Sequence, residues 1–340
     1  MLGNSSITVS DSQLAINATA TTNDRVFVEF MTIVRPVISS CIVLISLIGN
    51  FLICIIVKRT KILHNFTNYM LVNYSVAAIV AALFFYPFRI TLYFLDSGYW
   101  PFGSIWCKLS ISLAPITVIV YSQSLICISY ARFRAICCPL KPSLKPKLAI
   151  LSSLTIWLIT LLLTIPYMLI LDVQEFNISK IEGKIITRPF CTRSIQPKYK
   201  LFINDSYTIA LVLLAFVMPL LLIILANTLI YSELRRLALH HHKNSITSMD
   251  KETDIAKNRL IAELNTIVGV FFFTQMPYYS YLLITQFSEI TILRRWSEII
   301  RFTLTATTYT TPALNVVIYT YFNPHFRKVV FTLFQRFSRK

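Results

Sequence analysis

ISYARFRAICCPLKP, residues 128–142, is where a long apolar run meets Arg132 and Arg134, crosses a cysteine pair and reaches two prolines among lysines. An uncharged stretch that closes on arginine and continues into lysine has the form of a membrane span entering a cationic aqueous loop. The rest of the chain repeats that form. Only 14% of its 340 residues are charged against 55% hydrophobic, far from the balance of a soluble globular domain.

Uncharged runs of 22 to 27 residues occupy 36–57, 66–88, 109–131, 148–171, 206–232, 264–288 and 302–324. As a helix rising about 1.5 Å per residue, each run can cross a hydrocarbon core of about 30 Å. The expected fold is an all-α membrane protein, a seven-transmembrane helix bundle with its termini on opposite sides. The first residues are polar and lack the basic, apolar and small-residue order of a cleavable signal peptide, so the first span is expected to direct its own insertion.

Lysine and arginine are retained in cytoplasmic loops. With the N-terminus outside, the inner segments carry nineteen of the 32 lysines and arginines but only five of the 15 acids, which sets that orientation at the plasma membrane. Most of the net charge of +17 then faces membrane lipid and cytosolic partners, and nucleic acid is not needed to explain it. Sequons at Asn4, Asn17 and Asn177 fall outside, as does one at Asn204 near span five, whereas Asn65 faces the cytosol. Of seven cysteines, only Cys107 and Cys191 reach the oxidising side, and a bond between them would close a loop worth roughly 4 kcal/mol by chain entropy. No metal-ligand cluster, cofactor motif, repeated half or nucleophile constellation supports an enzyme or transporter.

ARFRAICCPL resembles the DRYxAICxPL signature of rhodopsin-like G-protein-coupled receptors, and Cys107 stands 25 residues before Arg132, the family's spacing. IGN at 48–50, TNYMLVNYSVAA from Thr67, WPFGSIWC at 100–107, Trp157, Pro219, Pro277 and LNVVIY at 314–319 are similar to family motifs in order and spacing. The resemblance covers almost the whole chain and is greatest to the peptide-receptor group. It implies an activation switch through Arg132, Asn227, Pro277, Asn315 and Tyr319. Read alone, Arg132 is equally a juxtamembrane arginine snorkelling to phosphates.

Several positions depart from the pattern. Ala78 replaces the family's span-two acid, so no sodium site is expected between Asn50 and Asn315. Ala131 and Phe133 flank Arg132, Lys257 stands where some relatives have a glutamate, and Arg132 is therefore expected to lack a carboxylate that holds it. Asn227, Gln275 and Val316 replace a tyrosine, a tryptophan and a proline, with Pro312 one turn before Val316.

The resemblance implies an outward-opening ligand pocket lined by Arg89, Tyr93, Ala114, Tyr207, Gln275, Tyr278, Tyr279, Arg301, Thr305 and Tyr309. Ala114 and Pro115 stand where amine receptors carry aspartate, which argues against monoamines. Arg301, Thr305, Thr308, Pro312, Asn315 and Tyr319 share one helical face, and the tyrosines read equally as core or interfacial residues. Between spans four and five, alternating charged and β-branched residues around Gly183 predict a hairpin lid. After Tyr319, Asn323 as cap and Pro324 in the first turn predict an amphipathic eighth helix on the inner leaflet.

The expected organisation is an extracellular glycosylated tail over 1–29, a receptor domain over 30–322 and a cytoplasmic helix with a short tail over 323–340. The expected function is a receptor, not an enzyme, for an extracellular ligand, a neuropeptide or other peptide, that signals to heterotrimeric G proteins and engages arrestin. Its alternatives are a scavenger receptor with weak coupling and a chemosensory receptor for small acidic molecules.

Overall fold

The computed structural model describes residues 22–95, 99–181, 184–194, 197–241, 248–287 and 294–338. The sequons at Asn4 and Asn17 lie outside this set, while Asn177 is exposed on the hairpin. Seven spans form the bundle: Thr22–Arg59; Phe66–Phe84 with Tyr86–Phe94; Gly103–Cys137; Pro146–Ile170; Pro197–Val212 running through a π turn at Leu213–Val217 into Met218–His241; Ser248–Phe287; and Arg294–Phe322. Span three is central and packs on spans two, four and five, while span seven closes the ring between six and one.

In lipid, each backbone polar group must be satisfied within the chain, and helices do this locally. The bundle accordingly turns apolar side chains outward. Leu151, Leu154, Leu158 and Leu162, spaced three or four apart on span four, are each more than half exposed. In the interior, small and polar residues sit among larger apolar ones such as Ile53, Met70 and Leu125, and Ser46, Asn50, Ser75, Ser110 and Ser124 are buried. The Trp157 indole donates to Asn73 Oδ1 (2.9 Å), and Asn73 Nδ2 donates to Ser124 Oγ (2.9 Å), joining spans four, two and three. Gly49 is needed for the approach of spans one and seven, because a Cβ there would stand 2.8 Å from both Val316 methyls.

Among the described residues, six helices are long and apolar enough to cross a membrane by length and composition. Span seven is as long, at 29 residues, but more polar. Some of its threonines return their hydroxyls to the helix itself, Thr305 to the Arg301 carbonyl and Thr308 to that of Thr305, each at 2.7 Å.

Span two breaks at Phe85 because Pro87 lacks an N–H and its ring cannot sit beside the carbonyl one turn back. The outer loops are tied down. Cys107 and Cys191 form a disulfide that fixes the antiparallel hairpin β1 (Leu171–Ile181) and β2 (Lys184–Arg193) to span three. The hairpin's connecting residues 182–183, Gly183 among them, lie outside the described set. Trp100 N–H donates to the Pro189 carbonyl (2.7 Å) and its indole to Gly103 O (2.9 Å), with Gly103 at φ 76°, where glycine is favoured. Past the last span, the Asn323 side chain accepts from Phe326 N–H (3.1 Å) and starts the helix Pro324–Ser338.

Candidate functional site

The outer half of the bundle encloses a cavity of about 480 Å³. The Phe85 break and the turn after it bring Tyr86 and Arg89 to its wall, and Pro115 with Ala114 form the span-three side. Tyr86 and Tyr309 pack with ring centroids 4.3 Å apart. Tyr167 and Tyr207 stack at 4.5 Å, and Arg193, from β2, lies over the Tyr167 ring at 5.2 Å. Outside the spans, Asp172 anchors the hairpin by accepting from Ser104 Oγ (2.5 Å). That bond and the Val173 N–H hold its carboxyl below the usual range.

Nine of the ten residues expected from the sequence line this cavity: Arg89, Ala114, Tyr207, Gln275, Tyr278, Tyr279, Arg301, Thr305 and Tyr309. Tyr93 does not; it packs edge-on to Phe302 with centroids 5.7 Å apart. The lining also includes Arg193, Tyr86, Tyr121 and Thr285, which the sequence reading did not single out. Arg193 carried a usable signal: it follows Cys191 by two residues, so the disulfide tethers its strand to span three.

Below the cavity, polar contacts pass down span seven. Gln275 Nε2 donates to Thr311 Oγ1 (2.8 Å), Thr311 donates to Thr274 Oγ1 (2.8 Å), and Thr274 donates to the Val270 carbonyl (2.7 Å). Asn315 donates to the Tyr74 hydroxyl. The Tyr74 and Tyr121 rings, 4.9 Å apart, occupy the level of Ala78, and Asn50 Nδ2 donates to the Ser46 carbonyl (2.8 Å) and the Pro312 carbonyl (3.3 Å).

At the inner end the structure corrects the expectation for Arg132. Its Nη2 lies 2.7 Å from Glu263 Oε1, with the two side chains only 12% and 11% exposed. The carboxylate comes from span six, nearly two turns beyond Lys257, whose side chain lies outside the described set. Glu263 was counted among the five inner acids but not paired with Arg132, because the uncharged run begins one residue after it, whereas the helix begins at Ser248. Tyr319, toward the inner end of span seven, is buried at 3% exposure. Asn227 stands apart, in a groove between spans five and six with Tyr231, Asn265 and Gly269. Pro277 lies inside span six.

The profile of the family described as 7 transmembrane receptor (rhodopsin family) matches residues 49–319. The chain is 26% identical over 305 residues to neuropeptide FF receptor 2 of Mus musculus, covering 88% of this chain and 72% of that one. It is 28% identical over 249 residues to tachykinin-like peptides receptor 99D of Drosophila melanogaster, covering 72% of this chain and 46% of the relative. With the RYamide receptor of the same fly the identity is 27% over 300 residues, covering 87% and 62%. The chain thus spans under two thirds of the length of both fly receptors.

Proposed function

Because this chain belongs to the rhodopsin family of seven-transmembrane receptors, we propose that it binds an extracellular peptide in the outer cavity and passes the event to a heterotrimeric G protein. The family consists of receptors, not enzymes, and the protein is a multi-pass membrane protein.

One observation carries the reading. Span seven contributes polar residues from the cavity inward: Thr305 and Tyr309 line the cavity, Thr311 bonds span six and Asn315 bonds span two in the middle, and Tyr319 is buried toward the inner end. A ligand that favours one arrangement of spans six and seven therefore shifts the population at the inner end, without any separate relay. The names of the relatives, which are receptors for neuropeptide FF, tachykinin-like peptides and RYamide, support a peptide ligand. The cationic excess of the inner loops supports an extracellular N-terminus at the plasma membrane, with G protein and then arrestin meeting the inner face.

The test is a peptide-library screen on cells displaying the receptor, read separately by G-protein dissociation and by ligand internalisation. Pools that trigger dissociation are the expected result. Internalisation with no dissociation from any pool would replace signalling by scavenging.

A further inference from the structure

Three guanidiniums line the outer cavity, and among the described lining residues there is no carboxylate. Arg89 comes from span two and Arg193 from β2, while Arg301 is more exposed at the rim. Three acids on that side are engaged elsewhere: Asp172 with Ser104, Glu175 with Thr187, and Asp205 with Gln286.

Arg89 lines the cavity together with the phenols of Tyr278 and Tyr309. Those dipoles solvate a cation without neutralising it, and an arginine inside a span costs free energy until an opposite charge approaches. Tyr309 adds an independent sign. It is 5% exposed, and among the described residues its hydroxyl has no hydrogen-bond partner of standard geometry, although Arg89 is adjacent.

We propose that the cavity takes a carboxylate of the ligand, held by the Arg89 guanidinium and the Tyr309 hydroxyl, with Arg193 closing over it from the hairpin. The proposal rests on the reading of this cavity as the ligand site. A planar guanidinium presents paired N–H donors that match the two carboxylate oxygens, and the tyrosine O–H adds a third donor. A peptide's C-terminal carboxylate and an aspartate or glutamate side chain offer the same oxygens.

The experiment measures thermal unfolding of the purified full-length receptor with three probes: N-acetylphenylalanine, its primary amide, and N-acetylaspartate α-methylamide. At least one acid probe is expected to raise the unfolding temperature while the amide does not, and whichever acid acts identifies the C-terminal or side-chain source. Arg89→Gln is expected to weaken the acid effect by about ten- to a hundredfold, the equivalent of one lost charge-assisted contact. Tyr309→Phe, which removes a single oxygen, weakens it less and tests the site even if Arg89→Gln fails to fold. Equal shifts from acid and amide, or no shift from either acid, would overturn the proposal.

Running the library screen with free-acid and amidated pools separates the two failures. Amidated pools that signal, with no acid-specific shift, sink the carboxylate site and leave the receptor. A silent library with an acid-specific shift does the reverse.

Discussion

Arg132 and Glu263 meet at 2.7 Å, and each side chain is nearly nine-tenths shielded. The pair ties the inner end of span three to span six by a charge-assisted bond that separating the two spans would break. Glu263→Gln keeps the shape and removes the charge. We expect agonist-free signalling to rise, by roughly five- to thirtyfold in a two-state equilibrium if the pair is worth about 1–2 kcal/mol. Unchanged basal G-protein activation at equal surface display would show that the pair does not restrain span six.

The same pair alters what an acid beside Arg132 can do. In the parent, Ala131→Asp adds a second carboxylate to an arginine already held, so its effect is expected to be small. In the Glu263→Gln background it supplies the missing charge and should return basal signalling toward the parent level. Basal activity in the double variant equal to that of Glu263→Gln alone would mean that position 131 cannot reach Arg132.

Val316 and Gly49 form a close seam. A methyl added by Gly49→Ala would stand 2.8 Å from both Val316 methyls, and overpacking of this kind costs about 1–3 kcal/mol. The unfolding temperature of solubilised receptor should fall in Gly49→Ala and recover in Gly49→Ala with Val316→Ala. Failure of the second change to restore it would place the strain elsewhere.

The Cys107–Cys191 bond spans 84 residues. Its loss in Cys107→Ser or Cys191→Ser removes roughly 4 kcal/mol of chain restriction and frees β2, with Arg193, from span three. Surface display or ligand binding should be lost. Normal values for both in either variant would show that Trp100 and Asp172 hold the hairpin without it.

Gln275 and Thr311 join spans six and seven under the cavity. A thermal-stability cycle of Gln275→Leu, Thr311→Val and the double variant should be non-additive by about 0.5–1.5 kcal/mol. Strict additivity would mean that the bond contributes nothing to holding the two spans together.

The spans and the cysteine pair were legible because lipid imposes long uncharged runs and the oxidising side leaves few choices. Arg132 and its Cys107 spacing were legible through motif order. Glu263 was not, since a run of uncharged residues marks where lipid begins rather than where a helix begins, and only the meeting of two helices reveals which charge faces which. Tyr93 was assigned to the cavity by the resemblance, but on the helix that restarts at Tyr86 it packs against Phe302. Arg193 lay in a loop where periodicity says nothing; its position follows from a covalent tether.

The polarity of span seven bears on biogenesis. Translation delivers it last, and its threonine- and tyrosine-bearing face gains little from lipid on its own. Its partners, Gln275 and Thr274 on span six and Asn50 on span one, are in place only after the earlier helices have entered the membrane. Insertion of the final helix and closure of the ring are then one event, in which the assembled first six spans act as a template. Chains halted before Arg294 should leave Asn50 and Gln275 exposed at an open seam, a lesion that quality control in the endoplasmic reticulum can read as an unassembled protein.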